Sequence, residues 1–341
     1  MTDPIWITEQ EVTRLMSLPQ AIAALRRGLR EEAAGRAANM VKTHAIWDGH
    51  STLHAIGAVF EGAMVDGHGI VGTKTWAHTK GGAMPLLILI DAEDGSVRAI
   101  IEAFALGQMR TGGISGLAVE VLAKPDARRM AMVGAGKQSL AQIGAAAAVR
   151  RLNRITVWSP TAAKRETLAR DVEAVLGIET IASATLNEAL DGAEIVTLAT
   201  RATAPFLSAQ ALPRGCHLNA VGAITPERAE FEPALLDRAA VVAADSIAQV
   251  RRLSREYREA FGDDDAGWAR VRPLSALVAA DATRPTNADL TVFKAMGMGI
   301  SDLSLGIALL AAARAAGLGR PIPRPTRAAF RLTDTPLVEP A

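Results

Sequence analysis

The 341-residue chain has little that would tie it to an oxidising, membranous or polyanionic setting. Its single cysteine, Cys216, allows no intrachain disulfide and fits a reducing compartment. Charge of one sign is missing: 37 Lys+Arg against 36 Asp+Glu leave a formal net charge of +1. No basic tract is interleaved with aromatics, so nothing favours nucleic acid as a partner. The N-terminus lacks the basic and apolar regions of a signal peptide. No apolar stretch reads as the ~18 residues needed to cross a bilayer, since Arg314 interrupts the richest run, 303–318. These absences predict a cytoplasmic protein without a membrane partner. Metal binding is also disfavoured, because the six histidines form no His-x-x-x-His pair and the cysteine has no near partner. His54 reads as a strand histidine with a local hydrogen bond. A serine nucleophile is unsupported, because no Gly-x-Ser-x-Gly elbow occurs.

What is present is an interior glycine loop, Met130-Ala131-Met132-Val133-Gly134-Ala135-Gly136-Lys137-Gln138-Ser139. A short apolar run enters it and an alanine-rich helical stretch leaves it, the order a dinucleotide-binding unit requires. Gly134 allows the tight turn and Gly136 lets the backbone approach a pyrophosphate at the helix N-terminus. Ser139 occupies the third glycine position, so the fingerprint is imperfect, and a strand–helix turn without ligand is the plain alternative.

The loop's position predicts two domains. Helices are expected from Thr8 and over 19–35, strands at 70–76 and 86–91 with a turn at Glu93-Asp94-Gly95, and a helix over 104–124. Beyond the Lys124-Pro125-Asp126 linker, strands at 130–133, 155–158, 195–199, 217–221 and 241–244 alternate with helices, beginning with 137–152 and 161–176. That rhythm predicts an α/β fold with a Rossmann-type, doubly wound parallel sheet beside an α+β domain. The expected division is 1–124, completed by 303–341, for substrate binding and dimerisation, and 125–302 for the cofactor. The helix at 303–316 should pack back on the first domain.

Three clusters carry chemistry. The second strand of the cofactor unit ends Val157-Trp158-Ser159-Pro160-Thr161, with Lys164 and Arg165 beyond. No carboxylate stands where one would grip both ribose hydroxyls, so NADP(H) is favoured over NAD(H). The alternative is that both cations cover a solvated helix face. Lys74 lies among apolar and β-branched residues, and Arg110 precedes Thr111-Gly112-Gly113; neither has an i,i+4 carboxylate. The residues alone favour the bland reading, a strand lysine reaching the surface and a helix-end arginine. A desolvated Lys74 would instead have a lowered pKa suited to proton transfer. The run Asn219-Ala220-Val221-Gly222-Ala223-Ile224-Thr225-Pro226-Glu227-Arg228 follows a strand and should face the nicotinamide and substrate, with an apolar wall at Ile224.

Together with Thr291-Val292-Phe293-Lys294, Gly297 and Asp302, these stretches make the chain similar, over nearly its whole length, to the ornithine cyclodeaminase/μ-crystallin family. The resemblance implies a homodimer in which a nicotinamide cofactor exchanges hydride with the α-carbon of an amino or imino acid. It puts Lys74 on the active-site lysine and Arg110 on the arginine near the substrate carboxylate. Lys137 and Gln138, with Gly134 and Gly136, fall on the pyrophosphate site, and Ser159 falls on the ribose-reading position. Thr200, Val221, Gly222, Arg228 and Ala295 fall on further cofactor positions, and Met296 on the substrate wall. Two departures stand out. Ile224 replaces the aspartate of members that cyclise ornithine, and Lys42 replaces an arginine, keeping the charge but not the bidentate fork. The resemblance therefore implies an imine reductase acting on a cyclic α-imino acid. Ornithine cyclodeaminase, amino-acid dehydrogenase and a non-catalytic NADP(H)-binding protein remain as alternatives.

Overall fold

A computed structural model describes residues 3–332, so residues 333–341 of the expected C-terminal completion lie outside the described part. The chain opens with two capped helices. Thr8 Oγ1 accepts from the Glu11 amide while the Glu11 carboxylate accepts from the Thr8 amide. Ser17 and Gln20 repeat that capping box at helix Leu18–Ala33, with Pro19 in its first turn. Ile22, Leu25 and Leu29 are buried, as their spacing predicts.

Among the described residues there are two eight-stranded sheets. The first runs Arg320–Pro321, Ile5–Ile7, Val97–Glu102, Leu86–Asp91, His68–His78, Ser51–Val65 and Ala37–Asn39, with Thr43–Trp47 also pairing Ser51–Val65. It is antiparallel except where Ile5–Ile7 runs parallel to Val97–Glu102. Helix Gly299–Ala316 lies against this sheet, and its Leu303, Leu309 and Leu310 share one core with Leu25, Leu29, Leu87 and Leu89. By length and composition this helix could cross a bilayer, contrary to the sequence reading, because Arg314 falls in its last turn. It is mostly buried inside the protein.

The second sheet runs Glu179–Ala182, Arg154–Trp158, Arg129–Val133, Ile195–Leu198, Cys216–Ala220, Leu290–Lys294, Ala239–Ala244 and Val271–Pro273, parallel throughout. Along Arg129–Val133, Met130 and Met132 enter one core while Ala131 and Val133 enter another, so both faces are covered. This is the doubly wound α/β architecture. Its strand order reverses between Arg129–Val133 and Ile195–Leu198, which opens a crevice at their carboxyl ends. Strand Leu290–Lys294 was not anticipated, because Lys294 breaks its apolar pattern. The cofactor helix begins at Ser139, two residues later than expected. The Ser139 hydroxyl accepts from the Gly136 amide (3.0 Å) and donates to the Gly134 carbonyl (2.9 Å), holding the residues before it in a turn.

Helices Phe104–Leu122 and Ser139–Val149 pack backbone to backbone, joining the two units. A Cβ on Gly112 would stand 2.6 Å from the Ala141 carbonyl oxygen, which as backbone cannot swing away. Gly112→Ala is therefore expected to cost about 1–3 kcal/mol by overpacking, read as a lower urea midpoint at unchanged slope. An unchanged midpoint would show that the two helices separate freely.

Candidate active site

The crevice at the strand reversal is shaped for an anion. Gly134 sits at φ 115°, and a Cβ there would meet the Ala199 carbonyl at 2.5 Å, so the turn requires glycine. A Cβ on Gly136 would meet nothing within 4 Å, which leaves its backbone open to a ligand. No side chain caps helix Ser139–Val149; the Ser139 amide donates to the Gly136 carbonyl (3.1 Å), and the first-turn amides after it keep their donor capacity. Lys137 is exposed beside them, and Gln138 Oε1 is buried without a partner. These features fit the pyrophosphate of a dinucleotide.

At the end of Arg154–Trp158, the Ser159 hydroxyl turns inward and donates to the Thr161 carbonyl (3.1 Å). Arg165 folds back to donate to the Ser159 carbonyl (3.0 Å), and its Nε is buried without a partner. Lys164 is exposed. The cation brought to this strand end is thus Arg165.

Thr200, Val221–Gly222 and Ala295–Met296 all follow the carboxyl ends of neighbouring parallel strands. Two buried carboxylates hold these loops. Asp245 accepts from the amides of Met296 (2.9 Å) and Gly297 (2.7 Å). Glu230 accepts from the amide and hydroxyl of Thr200 and from the amides of Gly222 and Ala223. Ile224 is half-buried and packs on the core of the parallel sheet, and Arg228 is half-buried on the same loop.

The surface reading of Lys74 is overturned. Alternation along His68–His78 puts Ile70, Gly72 and Lys74 on the covered face, and the Lys74 side chain is only 4% exposed. Its ammonium donates to Asp302 Oδ1, in the first turn of helix Gly299–Ala316, and Asp302 is fully buried. Arg110 Nε lies 3.4 Å from the same oxygen, well inside helix Phe104–Leu122 rather than at a helix end. Asp302 Oδ2 and Arg110 Nε are buried without hydrogen-bond partners. Burial pushes the Lys74 ammonium down to about 8; Asp302 opposes that shift, while Arg110 and Lys42 add to it. Lys42 titrates lower than an ordinary lysine, first through burial and then through Arg110 and Arg252, so it belongs to the same cluster. Lys74 also lies 5.3 Å from the centre of the Trp76 ring, which stacks on His54 at 4.8 Å. His54 does make its local bond, Nε2 to Thr52 Oγ1 at 2.8 Å, and burial first, then nearby Lys42, hold its pKa down to about 4.

Sequence reasoning assigned no role to Asp302, Asp245 or Glu230. A signal existed for the first: Asp302 is the lone acid of an 18-residue apolar helix and must find a cation if buried.

The family model for the ornithine cyclodeaminase/mu-crystallin family matches residues 3–313. A Delta(1)-pyrroline-2-carboxylate reductase of Bacillus cereus is 26% identical over 324 residues, covering 93% of this chain and 98% of that protein. The iminosuccinate reductase of Paracoccus denitrificans, solved with NAD+, superposes with a TM-score of 0.84 at 25% identity, covering 94% of this chain and 99% of the other. The Thermococcus litoralis Delta(1)-pyrroline-2-carboxylate reductase, solved with NADH and L-proline, shares the fold with a TM-score of 0.85 at 22% identity, over 93% and 100% of the two chains. A two-unit fold with a nucleotide crevice, a buried Lys74–Asp302–Arg110 cluster and a match across the chain lead to one conclusion: the protein belongs to the ornithine cyclodeaminase/mu-crystallin family.

Proposed function

We propose that this chain is an NADPH-dependent reductase of cyclic α-imino acids, of the size of Δ1-pyrroline-2-carboxylate or Δ1-piperideine-2-carboxylate. The observation that carries the reading is Lys74, a buried ammonium that titrates near neutrality against Asp302 and Arg110. Relatives named as pyrroline-2-carboxylate, iminosuccinate and ketimine reductases support it.

Each group has a task in such a reaction. Arg110 and Lys42 present positive charge to the substrate carboxylate, with Lys42 giving a point charge rather than a fork. A nicotinamide cofactor, when bound, would supply the hydride that the imine carbon takes up. Lys74 gives its proton to the imine nitrogen, as a general acid whose pKa lies near working pH. It is left neutral and must recover a proton from solvent. The open Oδ2 of Asp302 accepts the hydrogen that the nitrogen then carries. Ile224 and Met296 provide an apolar wall suited to a hydrocarbon ring. Ile224 cannot handle the second amine of ornithine, and Glu230, beneath the same loop, already has its oxygens filled by donors. The preference for NADPH rests on Arg165 at the second strand end and on the absence of a carboxylate there.

A homodimer is part of the proposal. Val41, Ile46, Trp47, Leu53 and Met84 are exposed on or beside strands Thr43–Trp47, Ser51–Val65 and Leu86–Asp91 of the first sheet, a concentration of apolar surface that suits an interface.

Purified protein is expected to oxidise NADPH faster than NADH with either cyclic imine, and to release no ammonia from ornithine with NAD+. Ammonia release, or oxidation only with an acyclic imino dicarboxylate, would contradict the substrate assignment. Lys74→Ala should lower turnover at least ~100-fold. Gly136→Ala should weaken cofactor binding and leave the thermal midpoint unmoved, since its Cβ meets no protein atom. Light scattering should give twice 35.8 kDa, and Leu53→Asp should lower that mass. A monomeric wild-type protein would rule the dimer out.

A further inference from the structure

Beneath the loops at 200, 221–223 and 295–296 lies a group of ionisable residues that the proposed reaction does not use. Glu230, Glu256 and Lys294 are all fully buried. Glu230 Oε1 accepts from the Thr200 amide (2.7 Å) and hydroxyl (2.8 Å). Its Oε2 accepts from the amides of Gly222 (2.9 Å) and Ala223 (3.1 Å). Three of these partners are backbone amides, and the Thr200 hydroxyl, which also receives the Ala202 amide (3.2 Å), is the fourth. Four donors converging on two oxygens is the arrangement that suits a carboxylate anion. Glu256 accepts from Lys294 Nζ (3.4 Å), the Glu230 amide (3.1 Å) and the Ser254 hydroxyl (2.8 Å). Glu256 and Lys294 cancel each other, so the group keeps the one negative charge of Glu230.

That charge sits at the carboxyl ends of three central parallel strands, Ile195–Leu198, Cys216–Ala220 and Leu290–Lys294. The glycine above it is obligatory. A Cβ on Gly222 would fall 2.3 Å from Glu230 Oε1 and from the Thr200 backbone. Loop and carboxylate are therefore one rigid piece, with the anion directly under the backbone.

We propose that Glu230 is a positioning residue with a second effect: it fixes the loops that carry the nicotinamide ring, and its buried charge favours the cationic, oxidised ring over the neutral, reduced one. This rests on the reading above that Thr200, Val221–Gly222 and Ala295 are cofactor positions and that the run 219–228 faces the nicotinamide. An anion held in a low-dielectric interior lowers the energy of a nearby cation and hardly affects a neutral ring. A nicotinamide bound there would turn cationic on giving up its hydride, and Glu230 would favour that change from the far side of the loop, touching neither substrate nor reacting atoms.

The test is the dissociation constant of NADP+ and of NADPH, each measured by fluorescence titration without substrate. In Glu230→Gln the Kd for NADP+ should rise roughly tenfold more than the Kd for NADPH. Thr200→Val, which removes one hydrogen bond but no charge, should move both constants by the same factor. Lys294→Met with Glu256→Gln removes the neighbouring pair without changing the net charge and should leave the ratio at its wild-type value. Glu230→Asp carries the test if Glu230→Gln loses its cooperative thermal transition: it keeps the charge, so it should raise both constants without changing their ratio. Equal changes in both constants for Glu230→Gln, or a changed ratio in Glu230→Asp, would overturn the electrostatic role. If the wild-type protein binds neither form, the underlying cofactor reading fails instead.

Discussion

The candidate site depends on one buried charge and its counter-ion. An ammonium removed from water costs several kcal/mol unless an anion and good geometry compensate, and losing one partner of such a pair typically costs about 3–5 kcal/mol. Lys74 and Asp302 accept that constraint at the centre of the first unit. Strand His68–His78 and helix Gly299–Ala316 meet there although 228 residues separate the two side chains in sequence. The pair joins the last helix to the sheet at one fixed point. Arg110 shares the same carboxylate oxygen, so a third element, helix Phe104–Leu122, is registered by the same contact. That helix packs on the cofactor helix through Gly112 and Gly116, each with under 3 Å between a hypothetical Cβ and the facing backbone. The helix that brings Arg110 to the cluster is thus also the one that docks on the cofactor helix.

On the cofactor side the problem is solved with carboxylates instead. Parallel strands end in loops whose amides have no ladder partner, and unpaired buried amides are costly. Glu230 and Asp245 supply the missing acceptors, fixing the loops at Thr200, Gly222–Ala223 and Met296–Gly297 without occupying the crevice. In the glycine loop the Gly136 amide is taken by Ser139 Oγ and the Ser139 amide by the Gly136 carbonyl, so the remaining amides at the uncapped start of helix Ser139–Val149 are the groups that an anionic pyrophosphate would engage.

Much of this was legible in the sequence, for local reasons. The Gly134–Ser139 turn, the cap at Thr8 and the strand–helix alternation are encoded over a few residues, and the structure follows them closely. The parallel doubly wound sheet and the family itself were recognisable from motif order. Lys74 was located but its environment was misread, because its partner lies in another element and no i,i+4 rule reaches it. Strand Leu290–Lys294 was hidden by its terminal lysine, whose burial makes sense only with Glu256 beside it. Glu230 sits in an ordinary-looking loop, and nothing short of the folded backbone reveals that four donors converge on it.

The most direct test of the Lys74–Asp302 account is the pH dependence of kcat/KM for imine reduction, compared between the wild type and Asp302→Asn. With Lys74 as the proposed proton donor, reduction would need its protonated form, so wild-type kcat/KM should fall as pH rises through about 8. Asp302 raises the lysine pKa, so removing its charge should move that fall to lower pH, and the comparison cancels any titration of the substrate itself. A descending limb that stays in place in Asp302→Asn would contradict the assignment of Lys74 as the proton donor.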